Sequence, residues 1–266
     1  MGMGPLIGKG NTADIFDIGD NKVVKLFKAG YPLGGVLKEY ENAKLLECLD
    51  LPITRSHGLI KSGNRYGIIY DRVHGESMLQ LVLMTGDWEN YAADLASLHK
   101  QMLAYEVPSA GSLKARLRRN IDATRDLGRK SKARLLALID SLPAGSSLCH
   151  GDFHFDNILV SQGEYFIIDY MDICCGHKYG DIARTVYILE RSAAPRDVGG
   201  RQEIAAMRKR ATDIYLGHMG VSREALSEWL IVTCAARLSE LDDEHSYEQK
   251  EERHAIMEYL SDVGFA

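Results

Sequence analysis

Long apolar runs are scarce in this sequence. The longest, such as residues 229–236, are far too short to span a bilayer, so no membrane is expected among the partners. The opening Met-Gly-Met-Gly-Pro has neither the basic start nor the apolar core that a secretory signal needs, and the expected location is the cytoplasm. Cysteine is sparse as well. Cys48, Cys149, Cys174, Cys175 and Cys234 are odd in number, scattered and without a Cys-x-x-Cys pair, which argues against a disulfide framework or a zinc site. Buried thiols are the simpler reading, with redox sensitivity of the adjacent Cys174 and Cys175 as the alternative. An excess of basic charge is missing too: the net charge is −5, so nucleic acid is not expected as the main partner. Internal repeats and low-complexity stretches are absent.

What is present is a globular composition. Of the 266 residues 45% are apolar, enough for one large domain or two modest lobes with cores of their own. Charge is unevenly placed along the chain. Nine basic residues fall between Lys114 and Arg134 against Asp122 and Asp126, and seven acidic ones fall between Glu240 and Glu252 against Lys250. Solvated helix faces explain both runs; the sharper reading of the acidic one is attraction of a cationic substrate.

The first seventy or so residues are punctuated like a sheet. Short apolar or β-branched stretches at 6–8, 14–18, 23–27 and 67–72 are separated by Gly, Asn and Asp, while 36–49 has helical spacing. After His74-Gly75 long periodic segments predict helices over 87–104, 112–127, 132–142, 181–191, 202–219, 222–241 and 247–263, interrupted by one β signal at 158–168. The expectation is an α+β fold with a β-rich N-lobe, residues 1–73. A larger helical C-lobe, residues 74–266, would follow it, with a cleft between the lobes as the usual place for a ligand.

Between the first two predicted strands lies Ile7-Gly8-Lys9-Gly10-Asn11-Thr12-Ala13. Glycine lets the backbone approach a ligand closely, and N–H groups of such a loop can cradle phosphate oxygens. A plain hairpin turn is the alternative, and the lack of a following helix rules out the P-loop and dinucleotide fingerprints. Lys25, set in Val23-Val24-Lys25-Leu26-Phe27, is a charge flanked by apolar residues and needs an anionic partner. On the following helix Leu37, Glu41, Leu45 and Cys48 make one stripe, which selects Glu41 as that partner, with Glu39 as runner-up.

The decisive segment is His150-Gly151-Asp152-Phe153-His154-Phe155-Asp156-Asn157, running into two apolar strands and ending at Ile167-Ile168-Asp169. Opposed positions in an antiparallel pair have a constant sum. If Val160 faces Tyr165, Asn157 lies opposite Ile168, and even a slip of one residue brings Asn157 and Asp169 to the same end of the hairpin. Amide and carboxylate oxygens are hard ligands that suit Mg²⁺ on a nucleotide. Asp152, five residues before Asn157, is then placed to orient an attacking hydroxyl and accept its proton. His154 as a covalent nucleophile is unnecessary beside that pair.

His150-Gly151-Asp152-x-x-x-x-Asn157, Ile167-Ile168-Asp169-Tyr170 and Gly180-Asp181-Ile182-Ala183 together resemble the aminoglycoside phosphotransferase and choline kinase branch of the protein-kinase-like fold. The resemblance runs from Gly8 to about Thr185; it is most specific over 150–183, and the glycine pattern of protein kinases is incomplete. It implies a bilobal kinase using ATP and Mg²⁺, with Asp152 catalytic and Asn157 and Asp169 the metal ligands. It implies Gly8, Gly10, Asn11 and Thr12 in the phosphate loop, Lys25 and Glu41 as the nucleotide-lysine pair, and backbone groups of Asp71 and Val73 on adenine. His150 would brace the loop, Asp181 would cap its helix and buttress that loop, and Asp156 and Asp172 would face substrate or support the metal site without ligating it. The acceptor is expected to be a small molecule with a hydroxyl, aminoglycoside-like or otherwise cationic, with choline, another amino alcohol, a sugar or a nucleoside as alternatives. A scaffold that binds nucleotide without turnover is the reading of another class. A protein kinase is disfavoured: no Ala-Pro-Glu occurs, and only eleven residues separate Asp169 from Asp181.

Overall fold

The computed structural model describes residues 3–191, 201–241 and 247–266. Along the chain come β1 (Leu6–Lys9), β2 (Ala13–Gly19), β3 (Lys22–Phe27), α1 (Leu33–Leu46), β4 (Ser56–Ser62), β5 (Arg65–Asp71), β6 (Glu76–Ser77) and α2 (Met78–Thr85). There follow α3 (Trp88–Leu103), α4 (Leu113–Ala123), α5 (Arg129–Ser141), β7 (Ser147–Cys149), a 3-10 turn (Phe155–Asn157), β8 (Ile158–Ser161) and β9 (Glu164–Ile167). The chain continues with β10 (Cys174–Gly176), α6 (Lys178–Arg191), α7 (Arg201–Met219), α8 (Arg223–Arg237) and α9 (Tyr247–Asp262). The class is α+β, as expected. Packing divides the chain into one unit, Met1–Gly86 with Phe155–Asp172, and a second, Asp87–His154 with Ile173–Ala266. The sequence places a single boundary after Val73; packing instead groups β6, α2 and the β8–β9 hairpin with the N-terminal sheet.

The first unit is built on an antiparallel sheet of order β1-β2-β3-β5-β4. Its β2–β3 turn uses Gly19, Asp20 and Asn21 with φ of +80°, +50° and +53°, residue types that tolerate the left-handed region. The edge strand β4, Ser-His-Gly-Leu-Ile-Lys-Ser, is too polar to have been expected from its pattern. Helix α1 buries Val36, Glu39, Asn42, Ala43 and Leu46. The stripe read from the sequence therefore has the wrong phase: Leu37 is 39% exposed, and Glu41 and Cys48 face solvent. Two of the five inward positions are polar, so hydrophobicity does not mark the inward face.

A smaller sheet in the same unit has the order β6-β8-β9. The hairpin register is Val160↔Tyr165 and Ile158↔Ile167, and it turns through Gln162 (φ +53°) and Gly163 (φ +83°). Gly75 lets β6 approach: a Cβ there would come within 2.0 Å of the Val160 carbonyl oxygen. Ser77 starts α2 with a capping box completed by Gln80.

The second unit packs α3 on α7 and α6 on α8 around Trp229, Tyr187, Tyr215, Phe153, Leu95 and Met102. Besides the expected helices it holds a short β7–β10 ladder, in which Cys149 pairs with Cys174. No helix among the described residues is long and apolar enough to cross a membrane.

Candidate active site

Lys25 lies in the middle of β3, paired with Ile15 on β2 and Ile68 on β5. Its ammonium donates to Glu39 Oε1 at 2.8 Å and Oε2 at 2.9 Å, and to Asp169 Oδ1 at 2.9 Å. Burial acts against the charge, yet the Glu39 and Asp169 carboxylates outweigh it and hold the Lys25 pKa above its ordinary value. Burial pushes the Glu39 carboxyl up, and the Lys25 ammonium opposes that push. The expected pairing of Lys25 with Glu41 is corrected: Glu39, the runner-up, occupies the inward face of α1. Glu39 is fixed from its other side by the Tyr70 hydroxyl, which donates to Oε1 at 3.1 Å.

The β8–β9 hairpin supplies the next two groups. Asn157 is buried at the end of the 3-10 turn, and its carbonyl accepts the Ile168 N–H at 3.0 Å, so the expected register brings Asn157 opposite Ile168, one residue from Asp169. Asp169 has φ +65°, a left-handed conformation that aspartate tolerates better than most residues. Its side chain is 40% exposed, against 1% for Glu39. One carboxylate is thus a buried partner of the lysine, and the other is partly exposed. An amide and a carboxylate oxygen form a hard donor set that fits a small divalent cation. Among the described residues no group of three His, Cys, Asp or Glu is placed to hold a metal. Asp156 in the turn is exposed and Asp172 is half-buried.

Asp152 belongs to the second unit. It follows Gly151, whose φ of +83° explains a glycine at that place in the loop. Its carboxylate meets His154 Nε2 at 3.3 Å and Arg184 Nη2 at 3.5 Å, and its N–H donates to His150 Nδ1 at 3.3 Å. Burial raises the Asp152 pKa, but the hydrogen bond and charge of His154, with Arg184 and His150, hold its carboxyl well below the ordinary carboxylate range. Underneath, Asp181 accepts the His150 N–H at 2.6 Å and the Gly151 N–H at 2.7 Å, and meets His99 Nε2 at 3.0 Å. Asp181 buttresses the loop as expected but does not cap α6: it lies one turn inside that helix, with its oxygens on the loop.

The model of the phosphotransferase enzyme family matches residues 5–212. The chain belongs to that family. It is a small-molecule kinase. Comparison with curated proteins gives no match. Among solved structures it is similar to the amicoumacin kinase hAmiN in complex with AMP-PNP, Ca²⁺ and Ami, at 13% identity and a TM-score of 0.64 over 98% of this chain and 88% of that one. It is similar to an aminoglycoside-3'-phosphotransferase of type VIII, at 21% identity and a TM-score of 0.59 over 87% of this chain and 91% of that one. A Haemophilus somnus protein assigned as a fructosamine-3-kinase gives 13% identity and a TM-score of 0.63 over 96% and 90%. At these identities the likeness is one of fold, and the fold is protein-kinase-like.

The remaining expected positions of this phosphotransferase fall out differently. Gly8 pairs with Ile15 across the first hairpin, and Gly10 donates its N–H to the Ala13 carbonyl at 2.8 Å, which leaves the exposed Asn11 and Thr12 at the tip. Asp71 donates its N–H to Arg55 O at 3.0 Å, and Val73 is half-buried. Of the acidic run, residues 242–246 lie outside the described residues. Glu240 accepts from Arg184 at 2.9 Å, Arg237 at 3.0 Å and Asn120 at 3.0 Å, while Glu252 accepts from Arg237 at 2.9 Å and from Tyr187. Tyr70, Asn42 and Arg184 were not singled out from the sequence. The only sign of Asn42 was its place three residues after Glu39.

Proposed function

We propose that this phosphotransferase moves the γ-phosphoryl group of cytoplasmic ATP to a hydroxyl of a small molecule. The observation that carries the reading is the buried Lys25 ammonium held between Glu39 and Asp169. A cation fixed this way needs little reorganisation to meet triphosphate oxygens, and catalysis of phosphoryl transfer is mostly positioning and charge neutralisation. Asn157 and Asp169 would hold Mg²⁺, which when bound neutralises charge on the phosphates. Asn11 and Thr12, with Gly8 and Gly10 shaping the loop, would bring backbone N–H groups to phosphate, and Asp71 and Val73 would contact adenine.

Asp152 would orient the acceptor hydroxyl. With its carboxyl held below the usual range it is a weak base, which suits a proton taken late, after the loose transition state has formed. Among acceptors we favour a cationic, aminoglycoside-like hydroxyl compound on the net charge of −5. The acceptors named for the similar structures, amicoumacin and aminoglycosides, support the same class. Glu240 and Glu252 are paired inside the second unit and add nothing to that preference.

The test is coupled ADP release over aminoglycosides, amino alcohols, sugars and nucleosides, with and without Mg²⁺. Turnover should need Mg²⁺ and one acceptor class. Asp152→Asn should lower turnover at least about 100-fold with AMP-PNP affinity retained. A variant as active as the parent rejects the role given to Asp152. Binding of nucleotide without turnover on any acceptor makes the protein a scaffold instead.

A further inference from the structure

Helix α1 carries two buried polar side chains one turn apart. Glu39 holds Lys25, and Asn42 donates from Nδ2 to the Tyr170 carbonyl at 2.7 Å and the Met171 carbonyl at 3.3 Å. At i and i+3 the two project from one helix face. The carbonyls that Asn42 holds belong to the two residues directly after Asp169, whose left-handed backbone persists only where its surroundings enforce it. The same segment is gripped elsewhere. The Tyr170 hydroxyl donates to Ile167 O at 2.6 Å and accepts the Thr54 N–H at 2.8 Å, and the Tyr31 hydroxyl reaches Met171 Sδ at 3.6 Å. Asn42 is the member of this set that stands on the helix also supporting Lys25.

We propose that Asn42 is a positioning residue for Asp169, setting the direction of its carboxylate for a divalent cation; this rests on the reading that Asp169 binds the metal. One rigid helix then places both the phosphate-binding ammonium, through Glu39, and the metal-binding carboxylate, through Asn42. Side chains that orient a metal ligand act on affinity for the metal, and their loss typically costs about 10–100-fold.

The experiment is calorimetric titration of the full chain with AMP-PNP across a series of Mg²⁺ concentrations and in EDTA, for the parent, Asn42→Ala, Asn42→Leu and Asp169→Ala. Leucine keeps the branching and the number of heavy atoms, is somewhat larger, and removes the donor. Both Asn42 variants should need about tenfold more Mg²⁺ to tighten AMP-PNP, with metal-free affinity within about twofold of the parent. Parental Mg²⁺ dependence in both variants overturns the proposal, as does an equal loss with and without metal, which a merely structural role would give. The Asp169→Ala chain separates the two levels. If it keeps the Mg²⁺ dependence, the metal reading itself fails; if it loses it while the Asn42 variants do not, only the role of Asn42 fails. Should neither variant fold, hydrogen exchange of the parent decides: residues 169–171 and the α1 turn at Asn42 should gain protection together on adding Mg·AMP-PNP, and protection of one alone overturns the coupling.

Discussion

Lys25 sits among apolar neighbours, where its charge is tolerable only because two carboxylates reach it, and those carboxylates are unequal. Glu39 is buried and Asp169 is partly open, so only the first is dedicated to holding the lysine. Glu39→Gln should therefore cost about 1–3 kcal/mol and weaken Mg·AMP-PNP binding, because a buried charge loses its main partner. Glu41→Gln should change stability by less than about 0.5 kcal/mol, as an exposed position allows. Urea unfolding and nucleotide titration of both variants check this, and matching losses would contradict the buried pairing. At Asp181, burial raises the pKa, but His99, His150 and the Gly151 N–H outweigh it and leave the carboxyl below its ordinary value. A depressed folded-state pKa contributes stability above the unfolded value, about 3.9, that is lost as pH falls through the folded one. Asp181→Asn should accordingly destabilise by about 1–3 kcal/mol at pH 7, and the gap from the parent should shrink below about pH 4. Equal gaps at pH 7 and pH 3 would show that the negative charge is irrelevant.

At the scale of elements, the β8–β9 hairpin and α1 make an instructive contrast. The hairpin register was legible because apolar residues fill both short strands, a polar Gly-containing turn joins them, and the sum of opposed residue numbers follows from the turn. The facing of α1 was not, because its inward stripe contains Glu39 and Asn42, whose burial is favourable only in the presence of Lys25 and the Tyr170 and Met171 carbonyls. No periodicity within the helix encodes partners on β3 or beyond β9. The short β4, β7 and β10 were illegible for a related reason: few-residue strands gain their stability from neighbours more than from their own pattern. Close approach of β6 to β8 depends on Gly75, where any Cβ would meet the Val160 carbonyl oxygen. Gly75→Ala should destabilise by about 1–3 kcal/mol through overpacking. It should also weaken Mg·AMP-PNP binding, since Asn157 directly precedes β8. Thermal melts and titration test this, and an unchanged melt would mean that the backbone yields there at no cost.

Over the whole molecule, the phosphotransferase reading has a thermodynamic signature. A ligand that binds only the folded chain stabilises it by about 2.7 kcal/mol at one hundred times its Kd. The melting temperature should rise with Mg·AMP-PNP well beyond the rise with AMP-PNP in EDTA, and Asp169→Ala should erase the difference; equal shifts in the parent would remove the metal from the site. The sequence alone determined the α+β class, the sheet-rich start followed by long helices, and the loop and hairpin that carry Asp152, Asn157 and Asp169, because these depend on local spacing and on short-range backbone geometry. Only the tertiary structure decided that Glu39 holds Lys25, that Tyr70 braces Glu39 while Asn42 braces the backbone after Asp169, and that Asp181 supports the loop from inside its helix. Each of those choices is made by atoms distant in the chain, and burial is favourable for a polar side chain only once such a partner is in place.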